Sequence, residues 1–183
     1  MLIANQKQQE NIAEYILYMY QVEDVVRAYN LDLDRLMQEF VGPQITNPSF
    51  TLQYHKWYAD IISQMKAQRI EKTGHLNELK DILIELSYLH NTLINLADDH
   101  KYKGLFSSAL SFINEFKEKS NLKDKNEIEI AFHALYMKLL MRLKKQEISS
   151  ATEEAFDSMR ILLAYLAKAY HQMKNGSMDF LKN

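Results

Sequence analysis

Two groups of carboxylates have the spacing a reactive site would need. Glu78, Asp81 and Glu85 recur at intervals of three and four residues, and Glu153, Glu154 and Asp157 crowd a second segment. Acids one turn apart on two facing helices could hold Mg²⁺ against a diphosphate, because a hard cation takes several oxygen ligands. The plainer reading is a solvated helix face, or acids in a first turn where the helix dipole favours them. A third polar group, Glu14, Tyr18, Gln21, Glu23, Asp24 and Arg27, lies on one early segment. It could close over a ligand or a partner helix, or reduce to an ion pair of Glu23 and Asp24 with Arg27 worth tenths of a kcal/mol.

The histidines argue against a metal centre. None of His55, His75, His90, His100, His133 and His171 follows a Glu by three residues, and no HExxH or His-x-x-x-His occurs. Di-metal helical bundles need the first pattern and zinc proteases the second. His90 stands between Leu86 and Leu93, and His133 one turn before Met137, on apolar helix faces. Both are expected as buried neutral imidazoles with hydrogen-bond partners. With no cysteine there is no thiolate ligand, nucleophile or disulfide, which fits a reducing compartment. The 4 glycines form no P-loop, GxGxxG or GxSxG. No metal or cofactor is therefore expected.

Lysines and arginines collect where helices end: Lys66, Arg69 and Lys72, then Arg142, Lys144 and Lys145. The dipole favours cations there. Lys101, Lys103, Lys117, Lys119, Lys123 and Lys125 form a looser group with Tyr102 and Phe106. Those aromatics could stack bases, but no nucleic-acid motif accompanies them, and nucleic-acid binding is disfavoured. The balance of 22 basic against 24 acidic residues gives a net charge of −2, which exerts no general pull on polyanions.

The elements that must position these groups are helices. Among 183 residues only 4 are Gly and 2 Pro, where average usage would give roughly 20. Apolar residues make up 47% and charged ones 25%, as in a globular chain. There is no signal-peptide-like start and no apolar run of the length that spans a bilayer, so a soluble cytoplasmic protein is expected. The break VGPQITNP at 41–48 separates a helix at about 5–29 and a short one at about 32–40 from a helix running to about 73, ended by Gly74. Further helices are predicted at about 76–99, at about 105–119 after a bend near Gly104, from an Asp124/Glu127 capping box to about 147, and from Ser150/Glu153 to about 175.

The core pattern is explicit. Ile12, Tyr15, Met19, Val22, Val26 and Tyr29 recur at 3-4 spacing, as do Leu79, Ile82, Leu86, Leu89, Leu93 and Leu96, and Phe156, Met159, Leu163, Leu166, Tyr170 and Met173. Such seams zip near-antiparallel helices. Two helices carry more apolar surface than one seam uses. The first adds Ala13, Leu17, Tyr20 and Ala28; the sixth adds Ile130, Met137, Leu140 and Met141 to its face of Ile128, Phe132, Leu135, Leu139 and Leu143. A helix apolar on two sides is central or meets another subunit.

Two resemblances bear on function. The fragments ELKD at 78–81 and EEAFD at 153–157 are faintly similar to the EExxE and ExxD motifs of all-α nucleotide pyrophosphohydrolases, but in reversed order, far apart and with Asp157 in place of the last Glu. The opening ENIAEYILYMYQVEDVVRAYNLDLDRL, residues 10–36, resembles the start of a bacterial family of unknown function, through Glu10 to Tyr15, Met19 and the run from Gln21 to Arg27. That resemblance implies an all-helical protein of about this length in a bacterial cytosol, and no site residues.

The expectation is thus one all-α, up-and-down-like bundle of six or seven helices, four or five of them long, over residues 1–176, with 177–183 a frayed tail. The expected function is a non-enzymatic interaction protein that forms a homodimer through its first or sixth helix. A Mg²⁺-dependent phosphohydrolase using the six acids is the alternative, and nucleic-acid binding the second. No small-molecule ligand is indicated.

Overall fold

The computed structural model describes residues 3–177; the 178–183 part of the expected tail lies outside the described residues. Among them are eight α-helices and no strand: α1 (Ile3–Glu10), α2 (Ile12–Ala28), α3 (Leu33–Leu36), α4 (Thr51–Ala67), α5 (Asn77–Asn95), α6 (His100–Lys119), α7 (Glu127–Leu143) and α8 (Ser150–Lys174). The all-α expectation holds, while the count of six or seven is too low. The additional helix comes from a break in the predicted 5–29 segment. Asn11 leaves helical geometry there, and its side-chain oxygen accepts the N–H groups of Ala13 and Glu14, at 3.1 and 3.2 Å, as the N-cap of α2.

The predicted 32–40 helix keeps α geometry for one turn only. Met37–Val41 form a π turn, closed by the Gly42 N–H on the Met37 carbonyl. A Cβ on Gly42 would lie 2.7 Å from that oxygen, so the turn requires glycine.

Helix ends also depart from the glycine rule. α4 stops at Ala67, short of Gly74, because Arg69 takes a φ of 57° and the Arg69 and Ile70 N–H groups bond the carbonyls of Lys66 and Met65. The same left-handed cap ends α2 at Asn30 and α7 at Lys145, so α7 does not reach 147. Glycine fills that role at Gly176 after α8. Gly104 causes no bend: α6 runs through it from an Asp99 N-cap whose carboxylate accepts the Tyr102 N–H at 2.9 Å. The capping box of α7 is Asn126/Glu129, two residues after the predicted pair, and the cap of α8 is Ser149.

The seams are buried as their spacing requires. From α5, Leu79, Ile82, Leu86, Leu89 and Leu93 are in the core, and Leu96 alone turns out, 82% exposed beyond the helix end. Each buried aliphatic side chain contributes about 1.5–3 kcal/mol of transfer free energy, several times an exposed ion pair. α8 is the long post of the assembly and packs against α2, α5, α6 and α7. The first half of α7 buries Ile128, Ile130, Ala131, Phe132 and Ala134 and leaves Glu129 and His133 half-buried on its remaining side. Its second half emerges: Met137 is 46% and Leu143 59% exposed. Of the surplus face of α2, Ala13 and Tyr20 are buried, Leu17 is half-buried and Ala28 is exposed. No described helix is long and apolar enough to cross a membrane.

Candidate functional site

Glu23 is the fully buried carboxylate of the described chain, at 0% exposure. It stands on the inward arc of α2, three residues after Tyr20 and three before Val26, where an apolar residue would be expected. Burying a carboxylate demands partners, and the connection between α4 and α5 brings them. His75 Nδ1 lies 2.6 Å from Glu23 Oε2, and the Leu76 N–H donates to Oε1 at 2.8 Å. One turn on, Arg27 donates to the carbonyls of Ile70 and Gly74 and pairs with Asp24 at 2.9 Å. Glu23 and Arg27 thus fasten one loop from the same helix.

The rings complete this knot. Tyr20 stacks on His75, centroids 3.7 Å apart and planes 14° from parallel. His133 of α7 lies 5.8 Å from Tyr20 and 5.7 Å from His75. Tyr136 meets the edge of Tyr20, and its hydroxyl donates to Asp24 at 2.6 Å. Burial, reinforced by His75 and Lys125 and opposed by Glu129, pushes His133 down to about 4, so its imidazole is neutral near pH 7. The Tyr20 hydroxyl is buried without a hydrogen-bond partner. Removing an unsatisfied hydroxyl relieves its desolvation cost. We therefore expect Tyr20→Phe to leave stability unchanged or raise it by up to about 1 kcal/mol in urea unfolding, against the usual sign for a buried tyrosine.

Glu23 and His133 stand out in the sequence as polar candidates, whereas Tyr20, His75 and Tyr136 do not. An acid on the buried arc of α2 is the available signal. His75 sits in a loop, where no periodicity exists to mark it. The predicted early patch divides: Glu23 faces inward, Asp24 and Arg27 hold the loop and Tyr136, Glu14 pairs with Lys7 at 2.7 Å, Tyr18 turns toward Tyr54 and Tyr58, and Gln21 is half-buried. His90 is buried with its Nδ1 2.7 Å from the Tyr102 hydroxyl, and burial lowers its pKa.

The two acid groups do not meet. Glu78 accepts from the Tyr15 hydroxyl at 3.1 Å, and Glu85 from the Tyr170 hydroxyl at 2.6 Å and Lys174 at 2.7 Å. With Asp81 they line an open cleft of about 730 Å³ beside the C-terminal end of α8. Lys174 and the Tyr170 hydroxyl hold Glu85 below the usual carboxylate range. Glu153 and Asp157 lie at the other end of α8, bound to Lys138, Arg142 and Arg160, and Glu154 is exposed. Asp157 and Tyr170 are 13 residues apart on that helix, or about 20 Å at 1.5 Å per residue. Among the described residues no three His, Asp or Glu are grouped to hold a metal ion.

Two grooves flank α7. Between α6, α7 and α8, Phe112, Phe116, Met137, Met141, Phe156 and Met159 line a space of about 380 Å³. Between α2, α7 and α8 lies a second, of about 580 Å³. Residues 1–177 match the model of a family described as a domain of unknown function (DUF4924). No curated protein and no solved structure matches the chain.

Proposed function

The chain belongs to the DUF4924 family, and from that premise, which supplies no activity, we propose that it is a non-enzymatic interaction protein that pairs with a second copy of itself through α7. One observation carries this reading: the second half of α7 presents Met137, 46% exposed, beside an apolar groove whose floor is made of phenylalanine and methionine. Methionine is unbranched and adaptable, and aromatic and methionine side chains are enriched at protein interfaces. A two-fold arrangement would seat each copy's Met137 in the other's groove, since such an interface uses one patch twice. On the groove's rim, Glu115 and Lys119 pair with each other one turn apart on α6, so antiparallel copies could exchange these partners across the interface. Of the two helices with surplus apolar surface, α2 spends Ala13 and Tyr20 inside the bundle, which favours α7.

The test is sedimentation velocity at tens of micromolar. The wild-type chain is expected as a dimer and Met137→Glu as a monomer with unchanged circular dichroism, because a charge at the centre of an apolar interface has no partner there. A monomeric wild type at that concentration would count directly against the proposal. The phosphohydrolase alternative gains no support from the geometry, because the α5 acids lie beside the C-terminal end of α8 and the second acid group lies at its N-terminal end.

A further inference from the structure

The second groove differs from the first in its chemistry. Its floor is Leu17, Leu135, Leu139 and Leu163, with Ala13 and Ala164 keeping it low. Asn11 reaches its edge, but that side-chain oxygen is committed to the α2 cap. A ligand lying on this floor gains from burying hydrocarbon and finds little to hydrogen-bond.

One rim is cationic. Lys138 is a buried lysine, its side chain 9% exposed, and its ammonium lies over the Phe156 ring at 5.5 Å. It bonds both Glu153 and Asp157, the latter at 3.3 Å. Arg142 shares Glu153 at 3.3 Å, and Arg160 shares Asp157 at 3.2 Å. Three cations therefore divide two carboxylates, which leaves one positive charge over. Those carboxylates stay ionised well below neutrality, because hydrogen bonds from Lys138 to Glu153 and from Arg160 to Asp157 lower their pKa values. The acid on the α2 rim, Glu14, is balanced by Lys7. Arg142 and Arg160 are 62% and 58% exposed, so each guanidinium has donors to spare for an incoming anion.

We infer that this groove binds a single-chain fatty carboxylate, its alkyl chain on the leucine floor and its headgroup on Arg142 and Arg160. The one surplus charge matches a monoanion better than a phosphate monoester, which carries about −1.5 to −2. A planar guanidinium also fits a carboxylate in fork geometry. The volume lies within the about 300–1,000 Å³ of small-molecule sites. At 3.6 residues per turn, Leu135 and Leu139 lie on the opposite side of α7 from Met137 and Met141, so this inference is independent of the proposed self-association.

Isothermal titration of the full chain with decanoate, below its micelle concentration, tests it against decanol and decyltrimethylammonium. Saturable one-to-one binding of decanoate is expected, with decanol at least tenfold weaker and no uptake of the cation. Arg142→Gln and Arg160→Gln should each weaken decanoate about tenfold and leave the unfolding midpoint in place, since both side chains are exposed. Ala164→Trp, which fills the floor without changing charge, should weaken it at least tenfold in the same way. Equal binding of decanoate and the cation, an unchanged affinity in the arginine variants, or no heat up to 1 mM decanoate would each overturn the inference. The Met137→Glu monomer should bind as the wild type does, so failure here and failure of the dimer are told apart.

Discussion

His75→Ala is expected to destabilise the protein by about 2 kcal/mol, within the roughly 1–3 kcal/mol that leaving a buried polar group without its partner costs. The full cost is not reached because the His75 side chain is 22% exposed, although Glu23 is not exposed at all. Water reaching the vacated space would recover part of the lost solvation. The loss comes from leaving Glu23 inside the protein with only the Leu76 N–H to meet it. Glu23→Leu combined with His75→Leu should cost clearly less than the two single changes added together, because a buried polar pair removed whole leaves no unpaired group behind. Urea unfolding of the four proteins of that cycle measures it. Additive costs would mean that the two side chains act independently, despite their 2.6 Å separation.

The second large effect is a pH dependence carried by His133. Its pKa falls from an ordinary 6.5 to about 4 in the folded chain. Between those values the unfolded chain binds the proton and the folded one does not, so stability rises with pH across the window. The contribution is complete above about 6.5 and disappears as pH falls through about 4. At about 1.4 kcal/mol per unit, discounted because His133 is only half-buried, it amounts to about 2 kcal/mol. The groups facing His133 are His75 and Tyr20 on one side and Lys125 and Glu129 on its own segment. His90, lowered by burial on α5, adds a contribution of the same sign. Glu85, Glu153 and Asp157 have lowered pKa values, so their losses fall below the usual carboxylate range. Unfolding free energies at pH 7, 5.5 and 4.5 should decline for the wild type and decline less for His133→Phe. Parallel curves would remove His133 as the cause.

The contrast between seams and caps explains what the sequence made legible. Leu79 through Leu93, Ile12 through Val26 and Phe156 through Tyr170 recur at helical spacing and are buried in the structure, because periodic burial writes itself directly into residue type. Helix ends are written less openly. Asn30, Arg69 and Lys145 take left-handed backbone that glycine adopts at least cost, and neither Arg nor Lys advertises that role. The site is divided in the same manner. Glu23 could be noticed on α2, but its counterpart His75 belongs to a loop 52 residues away, and only folding reveals the pair. The two acid groups are individually visible, yet nothing in their spacing tells that the α5 group lies beside one end of α8 and the other group at its opposite end.

The fastening of the α4–α5 connection has a kinetic consequence. Loop amides usually trade their protons with solvent through small local fluctuations. The Leu76 N–H is held by a carboxylate rooted in α2, in a residue that is 2% exposed. Its exchange must wait for α2 and the head of α5 to part company, so in deuterated water this loop amide should outlast those of Glu71 and Lys72 and keep time with the interior of α2. A connection that reads as slack in the sequence then behaves as a member of the slowest-opening cooperative unit.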